Sequence, residues 1–128
     1  MKLNIKTIKN FSSINNFDYS SEWSIRQEDE ITLYFQLVDS DQDGLRYLPT
    51  NNSYSVSVIF PTASSSSPIT KVATQASSLD RSIWSIQINS TDKINSGNFN
   101  VTFVEGSNTK KFSVLQGIVV EALNEGGC

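Results

Sequence analysis

Three aspartates, Asp39, Asp41 and Asp43, alternate in the stretch DSDQDG, and Gly44 follows them. Oxygen ligands at alternate positions with a glycine behind them open an EF-hand calcium loop, which also needs a bidentate glutamate at its twelfth position. Counting from Asp39, the eleventh residue is Pro49 and the twelfth is Thr50. A strand-like run, not a helix, leads into the loop. The EF-hand is therefore excluded, and an acidic inter-strand turn is the favoured reading. In such a turn Asp caps its own backbone and Gly44 supplies a positive φ. Weak calcium binding by Asp39, Asp41 and Asp43, completed by a carboxylate from elsewhere, is the alternative; no other cofactor is expected.

The remaining chemistry-bearing residues exclude more than they suggest. The chain contains no histidine, which removes Ser-His-Asp and Cys-His mechanisms and His-ligated zinc. Cys128 is the sole cysteine, so no internal disulfide can form and the fold rests on packing. Glu28, Asp29 and Glu30 sit side by side. A carboxylate pair can hydrolyse glycosides, but nothing in the sequence places these three in a pocket, and a solvated turn explains them. The glycines follow no phosphate-cradling pattern. No enzymatic activity is expected. Trp23, Trp84, Tyr34, Tyr47 and Tyr54 could form a sugar-stacking platform, although such residues more often pack in cores or across strands. Trp84 reads as core. Tyr34 reads as a contact residue, because it lies on the face opposite Leu33 and Phe35.

The elements that must position these residues are strands. In EITLYFQLVD, Ile31, Leu33, Phe35 and Leu37 share one face, while Tyr34 and Val38 share the other. This period of two marks a half-buried strand. NSYSVSVIFP, SIWSIQI and GNFNVTFVEG repeat it, and KKFSVLQGIVVE does so with Gly117 marking a bulge or bend. KLNIKTIK, SEWSIR and ITKVATQA carry weaker versions. The pattern lapses between Phe17 and Ser21, which reads as a loop. Turn-forming clusters separate the runs. Seven to eight short strands at this spacing predict an all-β antiparallel sandwich with Leu33, Phe35, Val56, Val58, Trp84, Ile86, Val101 and Phe103 in its core.

At 128 residues the chain is one domain. It divides into an N-terminal strand or arm (1–21), the sandwich (22–121) and a flexible tail (122–128). The formal net charge is −3 and no basic stripe occurs, which argues against nucleic acid. No apolar run is long enough for a membrane helix. Lys6 and Lys9 interrupt the place where a signal peptide would need its apolar segment, so export is not expected. Asn-x-Ser/Thr sequons at Asn10, Asn51, Asn89 and Asn100 carry no weight in a chain so rich in these residues.

The order ITLYFQLVD, DGLRYLP, SVSVIF, ITKVATQ, SIWSIQINSTDKINSG and NVTFVEG resembles virion-associated proteins of tailed bacteriophages. In particular it is similar to the N-terminal immunoglobulin-like domain of phage baseplate upper proteins. The resemblance covers Trp23 to Glu121 and is carried mostly by DGLRYLP and IWSIQINSTDKI. It implies an immunoglobulin-like sandwich located in the virion and made in the bacterial host cytoplasm. The role implied is non-enzymatic and structural, in the tail, baseplate, collar or capsid decoration. Its partners would be other virion proteins and further copies of itself on a symmetric particle. The baseplate domain continues into a chain that presents a receptor-binding partner, whereas here Cys128 closes the sequence, so the bare module is expected. Phe11, Ile14, Phe17, Tyr34 and Val38 are the expected interface residues, the first three on an arm that packs on a neighbouring subunit. The alternative function is a module that binds a host glycan or surface protein, with or without calcium.

Overall fold

The computed structural model describes residues 3–39, 45–46, 54–63, 67–76, 79–105 and 110–121. Among them are eleven strands: β1 (Leu3–Ser13), β2 (Asn16–Ser20), β3 (Trp23–Arg26), β4 (Ile31–Asp39), β5 (Leu45–Arg46), β6 (Tyr54–Phe60), β7 (Ile69–Val72), β8 (Thr74–Gln75), β9 (Ile83–Ile88), β10 (Gly97–Glu105) and β11 (Lys110–Glu121). They form two sheets. The first runs β2-β1-β4-β9-β8 with β5 continuing beside β4, and the second runs β3-β11-β10-β6-β7. The chain is an all-β sandwich, as the alternation predicts.

The core lies between the sheets. Leu33, Phe35, Val56, Val58, Trp84, Ile86, Val101 and Phe103 are all buried there. Each is the inward member of an alternating run, so each strand buries one face and leaves its other face to solvent or to a cover. Trp23, from a weaker run, is only 2% exposed. Its ring stacks on Phe99 with centroids 4.3 Å apart and meets Phe35 edge-on at 5.9 Å.

Several expectations need correction. The pairing is not purely antiparallel, because β3 runs parallel to the end of β11 from Trp23↔Ile118 to Arg26↔Glu121. ITKVATQA is two strands, with β7 in one sheet and β8 in the other. The switch occurs at buried Ala73, whose N–H still reaches the Val56 carbonyl at 2.8 Å. Gly117 marks no bulge: it pairs with Asn98 in an unbroken β10–β11 register. A Cβ at Gly117 would meet the Glu22 side chain at 3.4 Å, an ordinary contact distance.

The largest correction concerns residues 1–21. The expected loop from Phe17 to Ser21 is mostly strand β2, and the segment lies on its own sheet instead of reaching out as an arm. β1 pairs with β4 from Leu3↔Asp39 to Ile8↔Tyr34, and β2 folds back on β1. Ile5, Thr7 and Ile8 are buried. The alternation was hard to see because Asn10 takes a left-handed φ of 56° and the β1–β2 register shifts between Lys9 and Ser13. Asn tolerates that conformation, and a bulge resets which residues share a face. Phe11 therefore falls out of phase with the strand before it.

Candidate functional site

The face of the first sheet that points away from the core carries a continuous set of rings. In antiparallel pairs, residues opposite one another project to the same side. Ile8 stands opposite Tyr34 on one flank and Tyr19 on the other. Beyond the Asn10 bulge, Phe11 stacks on Tyr34 with centroids 3.9 Å apart and planes 18° from parallel. Phe17 lies 6.0 Å from Phe11 and meets Tyr19 edge-to-face at 5.4 Å. The Lys6 ammonium sits 4.9 Å from the centre of the Tyr19 ring, a geometry that favours a cation over the ring's negative face. Ile8 lies among these residues and is only 4% exposed although it faces away from the main core.

A polar chain fixes the far end of this surface. The Tyr19 hydroxyl bonds to Gln36 Oε1. Gln36 Nε2 donates to Ser82 Oγ at 3.0 Å, and Ser82 Oγ donates to Asp80 Oδ1 at 2.6 Å. Asp80 Oδ1 also accepts the Ser82 N–H at 3.0 Å, so the carboxylate caps the turn that enters β9. Gln36, Ser82 and Asp80 are buried. Satisfied buried polar groups of this kind hold their neighbours in one arrangement. The outermost ring, Tyr19, is 48% exposed, while Phe11, Phe17 and Tyr34 are half-buried. What the arrangement offers is a rigid, amphipathic contact face.

Of the expected interface residues, the structure brings Phe11, Phe17 and Tyr34 into one cluster. Ile14 is half-buried in the turn between β1 and β2. Val38 is corrected: it is 4% exposed and cannot serve as a contact residue, because both faces of β4 are covered at that end. Of the calcium candidates, Asp39 closes β4 and is buried, whereas Asp41 and Asp43 lie outside the described residues. Among the described residues no cluster of three or more carboxylates, cysteines or histidines is grouped as metal ligands. Tyr47, the Tyr54 side chain and Cys128 also lie outside the described set. Asp29 Oδ2 accepts the Arg26 N–H at 3.1 Å within the turn, while Glu28 pairs with Lys93 at 3.2 Å and Glu30 Oε1 accepts from Ser90 Oγ at 3.4 Å, so all three adjacent acids have structural partners. Tyr19, Lys6 and the Gln36–Ser82–Asp80 chain belong to this surface as well, and no sequence motif marks them. The spacing of Phe17 and Tyr19, two residues apart, was the available signal.

Beside the rings lies a cleft of about 360 Å³ lined by Ile8, Phe11, Trp23, Leu33 and Tyr34, with Lys9, Asn10, Glu22, Ser24 and Thr32 among its polar residues. Elsewhere, Lys71 on β7 bridges to Asp92 in the turn after β9 at 2.7 Å, tying the two sheets together. Burial pushes the Asp92 carboxyl up, but the Lys71 hydrogen bond, the Asn89 N–H and the Lys71 charge together hold it below the usual carboxylate value. No protein-family model matches the chain, and no curated protein matches it.

Proposed function

We propose that this protein is a non-enzymatic structural component of a tailed-bacteriophage virion that acts through protein–protein contacts in symmetric copies. Its sandwich is read as immunoglobulin-like. The strand order supports that reading: β1, β4, β9 and β8 occupy the places of strands A, B, E and D, while β11, β10 and β6 occupy those of G, F and C. The resemblance carried by IWSIQINSTDKI supports the virion assignment.

The single observation that carries the contact function is the ring cluster Tyr34–Phe11–Phe17–Tyr19 on the outward face. Aromatic residues supply large contact area with little conformational entropy to lose, and they concentrate at protein interfaces. Repeated copies of one such face suit a closed symmetric assembly. Replacing Phe17 and Tyr19 together by Ser should leave a folded sandwich that no longer co-sediments with particles. Normal incorporation of that variant would refute the contact face. A wild-type chain that never associates with particles would refute the virion assignment and move the glycan-binding module to first place.

A further inference from the structure

The polar chain that ends at Tyr19 has a direction, and its buried end sets it. A carboxylate only accepts hydrogen bonds. Asp80 Oδ1 lies 2.6 Å from Ser82 Oγ, a hydrogen-bond distance that needs a proton between the two oxygens. The single Ser82 hydroxyl proton is therefore used there. Ser82 is fully buried, so its oxygen can only accept from the Gln36 side chain 3.0 Å away. The Gln36 atom at that position must be Nε2. An amide turned the other way would set two acceptors face to face in a buried site, which costs the hydrogen bonding of both. With Nε2 held by Ser82, Oε1 is the atom that meets the Tyr19 hydroxyl. The phenol proton is donated inward, and the oxygen turns only lone pairs outward, on a residue that is 48% exposed.

We propose that Asp80 is the positioning residue of the ring face: acting through Ser82 and Gln36, it makes Tyr19 an obligate hydrogen-bond acceptor toward its partner, and the partner chain sets an uncharged N–H or O–H donor against the Tyr19 oxygen. A partner group that only accepts would meet lone pairs there and lose its hydration without a replacement. A charged donor is disfavoured by Lys6, whose ammonium lies 4.9 Å from the centre of the same ring, because a second cation brought to that ring meets like charge. The ring face thus selects its partner by polarity as well as by apolar area, and a buried carboxylate remote from the contact sets that polarity. The inference rests on the protein-contact reading above and names the group that the partner must present.

Two measurements on the full chain test this. The first uses carbon-13-labelled tyrosine in equal parts of H2O and D2O. A phenol proton held by Gln36 exchanges slowly, so the Tyr19 Cζ resonance should split into a protonated and a deuterated line. Ser82→Ala, which cuts the link to Asp80 but keeps the backbone N–H that Asp80 caps, should merge the two lines. Nuclear Overhauser contacts should place the Gln36 Nε2 protons beside Ser82 Hβ. The second measurement lets chains with Phe or 4-aminophenylalanine at position 19 compete with equal wild type for incorporation into particles, the ratio being read by mass spectrometry. The amino group keeps a proton for Gln36 and turns a second one outward, so that chain should be under-incorporated about tenfold, the worth of one hydrogen bond to the partner. It should do no better than the Phe chain, although it restores the inward bond. A single Cζ line in the wild type, Gln36 amide protons lying nearest the Tyr19 hydroxyl, or wild-type incorporation of the 4-aminophenylalanine chain would each overturn the proposal. A wild-type chain that never enters particles would defeat the contact reading and the partner's donor with it, while the split Cζ line would still report the polarity that Asp80 imposes.

Discussion

Trp23→Ala is the most informative single perturbation of the fold. Trp23 begins a four-residue strand, so secondary structure alone would rank it low. Its ring nevertheless stacks on Phe99, meets Phe35 edge-on, lies 6.2 Å from Phe60 and donates to the Tyr34 carbonyl. Removing a buried Trp or Phe side chain costs about 3–5 kcal/mol through lost transfer energy and the cavity left behind. A favourable ring pair adds about 0.5–1.5 kcal/mol beyond its area. Losing the indole donor removes a net hydrogen bond of about 1 kcal/mol. These contributions overlap, and the neighbouring cleft allows some collapse or hydration, so the expected total is about 4–5 kcal/mol. That is a large share of the roughly 5–15 kcal/mol that stabilises a domain. Trp23→Phe keeps most of the stacking and should cost about 1–2 kcal/mol, mainly the indole hydrogen bond and some volume. Equilibrium urea unfolding followed by far-UV circular dichroism measures both, because it does not depend on the tryptophan being replaced. A Trp23→Ala cost below about 1.5 kcal/mol, or equal costs for Ala and Phe, would refute the view that this ring joins the sheets.

Deleting residues 1–20 should destabilise the protein by several kcal/mol or prevent soluble expression, because it strips Ile5 and Ile8, each worth about 1.5–3 kcal/mol, from the first sheet; an unchanged melting temperature would restore the arm. Asp92→Asn should cost about 1–2 kcal/mol at neutral pH by weakening the Lys71 bridge between sheets. Because the folded carboxyl is held below its ordinary value, its contribution is complete above the unfolded pKa and is lost as pH falls through the folded pKa. Acid titration of stability should therefore be flatter below about pH 4 in the variant, and parallel curves would contradict that. Millimolar calcium should leave the melting temperature unchanged, since DSDQDG is read as a turn; a rise of several degrees that vanishes in Asp41→Ala would establish a metal site.

The parts of the fold visible in the sequence were those with unbroken alternation. β4, β6, β9 and β10 each put an apolar residue at every second position, and their inward members form the core. The parts that were hidden share a physical cause, a local shift of phase or direction. Asn10 resets the face of β1, so the alternation lapses between Phe17 and Ser21 although most of that stretch is the second strand of a hairpin. Ala73 lets one run serve two sheets. Trp23 owes its burial to a parallel pairing with Ile118, a contact distant in sequence that no local pattern encodes.

The contact surface was half legible for the same reason. Tyr34 stood out as an aromatic residue opposite a core face, and Phe11 and Phe17 stood out as apolar residues with no apparent strand. What brought them together is the hairpin, which the bulge concealed. Val38 misled because a strand covered on both faces still alternates when its second face holds Gln36 and Tyr34. The Tyr19–Gln36–Ser82–Asp80 chain links residues up to 63 positions apart in the chain and has no sequence signature at all.

The central claim is that the rings on the first sheet are a virion contact face, and an electron cryomicroscopy map of the purified particle tests it most directly. The account predicts the sandwich in repeated symmetric copies, with Tyr34, Phe11, Phe17 and Tyr19 buried against a neighbouring chain. Particles that lack the protein, or that carry it with those four rings facing solvent, would contradict it.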